Sequence, residues 1–389
     1  MPRTTGKYHI SNFGDEKVRA FIPLPLPPSD PPLLIEGRLA AELSQAMAAL
    51  ARLEVAGSMV PSPNWFIYGF VRKEALISSQ IEGTQATLQD VLTFEATEKS
   101  DRLQDVEEVS NYVKALTYAR RELANPKGLP LATRLLCQIH QRLMAGTRGA
   151  EKQPGEIRRS QNWIGGSRPG NARFVPPPPD HVQQAMSDLE KWIHNPCTLP
   201  PLVRAGLAHV QFETIHPFLD GNGRVGRLLI TLLFEHWKLL SAPLLYLSLA
   251  FKRHRADYYQ RLSEVRTSGN WEGWTEFFLG SVKEAADDAT TAAQRLHRLL
   301  NQHRQQLTRH NAATIPAVRL LDLLPQHPVL TLSDAVKLLG VTKPTAIKAI
   351  TALQKTKVLR ETTGRQRDRI YAYHDYLQVL TSDTEPIAE

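Results

Sequence analysis

Twelve residues, His216 to Arg227 (HPFLDGNGRVGR), bring together one imidazole, one carboxylate, a Gly-Asn-Gly turn and two arginines. Few reactions need all of these at once. His216 can accept a proton near neutral pH. Asp220 offers a hard oxygen, and Mg²⁺ held by one carboxylate together with substrate phosphates is a common arrangement. Gly221, Asn222 and Gly223 open a helix, RVGRLLITLLFEHW, so main-chain N–H groups and the positive helix end make a pocket for an anion. Arg224 and Arg227 stand three apart in the first turn and share a face. Cations there oppose the helix dipole by up to about 1 kcal/mol each, a cost that a bound polyanion would reverse. Taken singly, a helix cap, a buried histidine and a turn aspartate account for these residues equally well. Gathered in one dozen, they are the parts of a phosphoryl- or nucleotidyl-transfer site. The stretch is no Walker A loop, since it contains no GxxxxGK[ST].

The elements that must position these groups read as mainly α. After a proline-rich, extended lead-in at 21–33, apolar residues at three- and four-residue steps predict a helix from Leu34 to about Ala56. A second helix spans 64–82 and stops at Gly83, a residue suited to a left-handed end. Helical patterns continue through ATLQDVLTFEA, 103–123 and 130–145. The Gly-, Pro- and Asn-rich stretch 149–178 reads as a loop or short β-hairpin flap, closed by a proline run, with Asp180 capping the next helix. Helices at about 201–214, 224–240, 256–267 and 272–303 complete the body. Beyond Ile315 the pattern is helix, helix, three-residue turn, helix and basic strand–turn–strand, with Ile347, Ile350 and Leu353 on one side of the last helix. That order spells a winged helix-turn-helix. The expected domains are 1–110, 111–285 as the catalytic core, a helical linker at 286–311 and the winged helix at 312–389.

Composition narrows the setting. Of 389 residues 42% are apolar and 22% charged, as in globular proteins, and the net charge is +8. Cys137 and Cys197 cannot by themselves build a disulfide framework or a four-thiolate metal site. The first residues lack the apolar core of a secretory signal, and no apolar run reaches about eighteen residues. A cytoplasmic protein without a membrane span is expected. Residues 313–375 carry ten Lys/Arg against five Asp/Glu, so a large share of the positive charge sits in the C-terminal segment.

HPFLDGNGRVGR resembles the signature of the Fic (filamentation induced by cAMP) family, His-x-Phe-x-Asp/Glu-Gly-Asn-Gly-Arg-x-x-Arg, at every fixed position. The likeness continues through GEIRRSQNWIGG, the PPPP run and PLLYLSLAFKRHRADYYQRL, so most of the chain is similar to the larger bacterial Fic proteins. The resemblance implies a Fic-type helical bundle and an Mg²⁺- and ATP-dependent protein adenylyltransferase, which moves AMP to a Ser, Thr or Tyr hydroxyl of a protein target. By the same likeness His216 is the base and Asp220 holds Mg²⁺. Gly221, Asn222 and Gly223 line the anion hole, Arg224 grips the phosphates, Arg227 reaches the γ-phosphate and Tyr258 lies beside adenine. Trp163 and Ile164, in the flap, would hold the target by strand addition. The intact GNG argues against the branches of the family that transfer phosphate or phosphocholine.

A second motif, SSQIEG from Ser78 to Gly83, resembles the inhibitory signature Ser/Thr-x-x-x-Glu-Gly/Asn of the same family. Glu82 closes a helix at its negative end, where a carboxylate is disfavoured and calls for a cation. The resemblance names Arg227 as that cation, and implies a transferase held off in cis or one in which Glu82 serves removal of AMP. An exposed Glu before a helix-ending Gly is the plain alternative. The winged helix would place 342–357 in a DNA groove with Arg365, Arg367 and Arg369 on phosphate, or serve as a protein-docking or dimerisation module. The rival to the enzyme is a DNA-binding regulator whose Fic domain senses nucleotide. A homodimer is compatible with the sequence, although no pattern calls for one.

Overall fold

The computed structural model describes residues 3–13, 16–58, 64–98, 100–310, 312–365 and 367–386. Strands β1 (Gly6–Phe13) and β2 (Glu16–Pro23) come first, followed by helices α1 (Gly37–Ser58), α2 (Asn64–Ile81), α3 (Leu88–Thr97) and α4 (Leu103–Ala124). Next are α5 (Thr133–Leu143), α6 (Pro179–His194), α7 (Pro201–Ile215), α8 (Asn222–His236), α9 (Ser248–Arg253) and α10 (Arg255–Ser268). The 39-residue α11 (Trp271–Arg309) leads to α12 (Ile315–Leu323), β3 (Val329–Thr331), α13 (Leu332–Leu339) and α14 (Lys343–Lys355). Short strands β4 (Arg360–Glu361) and β5 (Ile370–Ala372) and helix α15 (His374–Thr381) follow. The mainly helical expectation holds.

Two compact units divide the chain, each discontinuous in sequence. The first contains Met1–Leu50, Asn111–Ser241 and Leu247–Ala285; the second contains Ala51–Ser110, Ala242–Tyr246 and Ala286–Glu389. In the first unit α7 is the central element. Every residue from Leu202 to Ile215 is buried; its apolar residues are spread round the helix, and the buried Arg204, His209 and Gln211 are hydrogen-bonded to main-chain carbonyls. It packs against α6, α8, α10 and β2. α8 turns Val225, Leu228, Leu229 and Leu232 inward and packs on α7 and α5. The antiparallel pair β1–β2 runs in register from Gly6 opposite Pro23 to Phe13 opposite Glu16.

In the second unit α12, α13 and α14 pack together beside an antiparallel sheet of order β3-β5-β4. Thr331 and Asp334 form a capping box that starts α13, and Gly340 ends it in the left-handed conformation. Three helices followed by a strand pair come in the expected order, with β3 added ahead of α13; Gln366, in the segment expected as strand–turn–strand, lies outside the described residues. Ile350 and Leu353 face the core, but Ile347 is 44% exposed, so it does not share their side as expected.

Other departures are local. Asp180 lies inside the first turn of α6, which two prolines begin without any side-chain cap. Strands β1 and β2 were unread because their alternation is masked by polar residues, and β1 is exposed on both faces. Helix α9 and strand β3 are too short to show a period.

Candidate active site

The motif loop joins the end of α7 to the start of α8. His216 caps α7 in the left-handed region (φ 51°), its N–H bonded to the Phe212 carbonyl at 2.9 Å. Gly221, at φ 72°, opens α8. A Cβ at Gly221 would lie 2.9 Å from Met144 Sδ, so the turn requires glycine for both its backbone and its space. Asn222 closes the loop upon itself: its Oδ1 accepts from Phe218 N–H at 2.9 Å and its Nδ2 donates to the Phe218 carbonyl at 2.8 Å. The side chain of Asn222 is thus spent on the loop, and its main chain is what it can offer a ligand. Gly223 follows in the first turn, where N–H groups have no intrahelical acceptor. Arg224 and Arg227, both buried, extend from the same end of α8.

Asp220 is held on several sides. Its Oδ2 meets Lys152 Nζ at 2.9 Å and its Oδ1 accepts from Gly221 N–H at 2.6 Å, while Arg224 Nη2 lies 3.8 Å away. Burial would raise this carboxyl, but the Lys152 and Gly221 hydrogen bonds and the charges of Lys152 and Arg224 outweigh it, and the group is held below the usual carboxylate range. No cluster of three or more His, Cys, Asp or Glu gathers among the described residues. A divalent ion here would therefore rest on Asp220 and on oxygens of the ligand, and an ionised, half-exposed carboxylate beside the opening turn of α8 fits a hard cation bound in that way.

Three residues absent from the sequence reading hold the loop in place. Arg158 is 1% exposed and bridges two segments. Its Nε donates to the His216 carbonyl at 2.8 Å, its Nη2 to Pro177 at 2.6 Å and Ile215 at 3.5 Å, and its Nη1 to Ser160 at 3.2 Å. Burial lowers its guanidinium to about 10, still protonated at neutral pH. A cation at the negative end of α7 satisfies carbonyls that the helix leaves over. His140 of α5 is stacked flat on Phe218, with ring centroids 3.9 Å apart. Its Nδ1 accepts from Gly155 N–H at 2.9 Å, which makes Nε2 the protonated nitrogen, donating to the Asp220 carbonyl at 3.0 Å. Third, Asn162 Nδ2 donates to the Phe218 and Leu219 carbonyls, both at 3.2 Å, which ties the flap to the loop. No spacing rule connects these side chains with the motif.

The neutral His140 has a measurable consequence. Burial, aided by the Arg224 charge and opposed by the bond to Asp220, pushes the imidazole down to about 4. The unfolded chain, with its histidine near 6.5, then binds the extra proton first, so stability is lost as pH falls from about 6.5 to 4, by about 3 kcal/mol from this group. Urea unfolding midpoints between pH 7 and 4 should fall less steeply for His140→Phe than for wild type. Equal slopes would show that His140 is not held neutral.

The flap is a hairpin of the expected kind. Ile164 and Phe174 exchange both backbone hydrogen bonds, at 2.8 and 3.1 Å. Its second strand continues into β2 through Phe21 N–H to the Val175 carbonyl, 2.9 Å. Val18, Ala20 and Val175 form a small core on which Trp163 and Ala172 pack. The Trp163 ring is therefore partly buried against the N-terminal hairpin. Tyr258 is buried in an aromatic cluster, stacked on Phe251 at 4.6 Å, with its hydroxyl 2.8 Å from His209 Nε2. Glu82 and Gly83 lie in the second unit directly after α2, with Gly83 at φ 103°, and Ser78 is buried in the last turns of that helix.

Two segments of the chain match family models. Residues 130–234 match the Fic/DOC family, and residues 40–121 match the Fic/DOC family N-terminal region. The chain therefore carries a Fic domain, with the family's N-terminal region ahead of it. The Fic motif loop, both arginines and the flap fall within the first match. Protein adenylyltransferase fic-1 of Caenorhabditis elegans is 34% identical over 100 residues, 25% of this chain and 18% of that protein. Protein adenylyltransferase Fic of Drosophila erecta is 30% identical over 212 residues, 53% and 39% of the two chains. The chain spans less than half the length of these curated relatives. Among solved structures, a Fic family protein from Desulfovibrio desulfuricans G20 superposes with a TM-score of 0.57 at 22% identity, covering 88% of this chain and 98% of the other. A Fic domain containing signaling protein from Bacteroides thetaiotaomicron gives 0.51 at 19% identity, covering 65% and 95%. Those two likenesses bear on the fold alone. No helix among the described residues is long and apolar enough to cross a membrane.

Proposed function

We propose that this protein is a protein adenylyltransferase, transferring AMP from ATP to a hydroxyl of a protein side chain. The observation that carries the reading is the complete Fic motif set between α7 and α8, with His216 ending one helix and the glycine turn opening the next. His216 takes the proton of the target hydroxyl. Its oxygen bonds to the α-phosphorus, the bond from that phosphorus to the bridging oxygen breaks, and pyrophosphate leaves with the electron pair. The opening N–H groups at Gly221–Gly223, Arg224 and Arg227 hold the phosphate charge in a buried setting where it counts most. Asp220 would hold Mg²⁺, exchanging its Lys152 partner for the ion, and the metal supplies charge neutralisation at the phosphates. The flap strand 162–165 is the edge that an extended target segment would join; the opposite strand already meets β2. Trp163 serves through its main chain, and Ile164, whose N–H and carbonyl are both taken by Phe174, through its side chain. Tyr258 shapes the adenine end through its aromatic cluster.

Glu82 is the inhibitory residue in this reading, with Ser78 and Gly83 completing its motif. The match of residues 40–121 to the family's N-terminal region, with SSQIEG inside it, supports the assignment. Pairing with Arg227 would keep that guanidinium from the γ-phosphate, and the same carboxylate could serve removal of AMP. The test is incubation with Mg²⁺ and α-labelled ATP of wild type, Glu82→Gly and Glu82→Gly/His216→Ala. Label on the protein in the single variant alone establishes transfer and inhibition together. Equal label in wild type and Glu82→Gly keeps the enzyme and discards inhibition. No label anywhere, with ATP bound, discards transfer onto the protein itself.

One observation favours a second reading, a DNA-binding regulator. The outer face of α14 exposes Lys343, Lys348 and Lys355, and the hairpin after it exposes Arg365, Arg367 and Arg369. Salt-sensitive, sequence-selective DNA binding that survives His216→Ala would support it. The reading fails if DNA affinity is independent of those basic residues.

A further inference from the structure

Helix α2, whose end carries the SSQIEG motif, is lined along one face by the C-terminal segment of the chain. The contacts recur down the helix. Near its start, the Tyr376 hydroxyl donates to the Trp65 carbonyl at 3.1 Å. One turn on, Gly69 lets α15 approach: a Cβ there would come 2.8 Å from Leu380 Cδ1 and 3.3 Å from the Tyr376 hydroxyl. A turn later, buried Lys73 donates from Nζ to the Ser382 carbonyl at 2.8 Å. At the far end Gln80, inside the motif and 2% exposed, donates from Nε2 to the Thr384 carbonyl at 2.9 Å and to the Ala86 carbonyl at 3.0 Å. Trp65, Gly69 and Lys73 follow four-residue steps and Gln80 lies seven further on, so all four share one side of the helix.

We propose that the C-terminal turn Ser382–Thr384 is a latch on the helix that presents Glu82, setting how firmly the inhibitory motif is held; this rests on the reading of Glu82 as inhibitor. A helix end frays first, because its last carbonyls lack partners. The Gln80 amide counters this by joining the last turn of α2 to the loop after it and to the C-terminal turn at once. Among the described residues, the motif's backbone order thus depends on a segment about three hundred residues away in sequence. Helices α12 to α14 belong to the same compact unit as this segment. The regulated quantity is local: the order of residues 78–86, without any change in the Fic motif itself.

The experiment measures amide hydrogen exchange and AMP labelling side by side in wild type, in a chain ending at Thr381, and in full-length Gln80→Met, which keeps the side-chain bulk and removes both donors. The latch predicts exchange at Glu82, Gly83 and Thr84 at least tenfold faster in both variants, with α7 and α14 unchanged as the sign that both units remain folded. Labelling should rise at least fivefold. Unchanged exchange in Gln80→Met overturns the latch. Faster exchange without a gain in label upholds the latch and counts against Glu82 as inhibitor. Should the shortened chain also lose protection in α14, Gln80→Met alone decides.

Discussion

Replacing His216 by alanine in the Glu82→Gly protein should lower the rate of AMP transfer by about 10²- to 10⁴-fold, the range for removal of a positioned general base. The loss should fall on kcat. His216 sits at the end of α7, whereas the phosphate-holding groups belong to the start of α8, so ATP affinity should change by no more than about threefold. The measurement is a rate series in labelled ATP with nucleotide binding determined separately. An equal loss in binding would mean that the imidazole helps to hold the nucleotide, and a rate within about fivefold of the parent would remove His216 from the chemistry. Two structural features make the first outcome the expected one. The left-handed backbone at His216 turns the chain sharply out of the helix, and the main chain around it is gripped by Arg158 on one side and by the Asn222–Phe218 ring on the other.

Arg158→Met should be the most damaging change at a residue that touches no reactant. The guanidinium donates to carbonyls of Ser160, Pro177, Ile215 and His216. Methionine fills the volume but leaves buried acceptors without donors, at about 1 to 3 kcal/mol each where no water replaces the bond. A loss of about 3 kcal/mol or more in unfolding free energy is expected, together with loss of transfer beyond what the unfolded fraction explains, because the base of the flap and the His216 backbone part company. Arg158→Lys keeps the charge but lacks the fork, so it should recover part of the stability and little of the rate. Urea unfolding with labelling at a temperature where both variants are folded separates the two effects. Full activity in folded Arg158→Met would show that the flap and the catalytic loop find their places without it.

The chemistry-bearing motif was legible because it is local. Twelve consecutive residues hold the base, the carboxylate, the turn and the arginines, and the α-helical period before and after them announces where each helix ends. The same holds for α13, where a Thr-x-x-Asp box and a following glycine mark both ends. Tertiary contact alone decided the rest. Arg158, His140 and Asn162 are distant from the motif along the chain and resemble ordinary residues of a loop or helix until the fold brings their donors to its carbonyls. The β1–β2 hairpin had no period strong enough to read, yet it buttresses the flap and covers the ring of Trp163. Tyr258 could be named from resemblance, but burial against Phe251 and the bond to His209 set what it touches. Hydrogen bonds to main-chain carbonyls carry no residue code, since every residue offers the same acceptor. A sequence can therefore announce the groups that do chemistry, while the groups that hold them still emerge only when the chain has closed on itself.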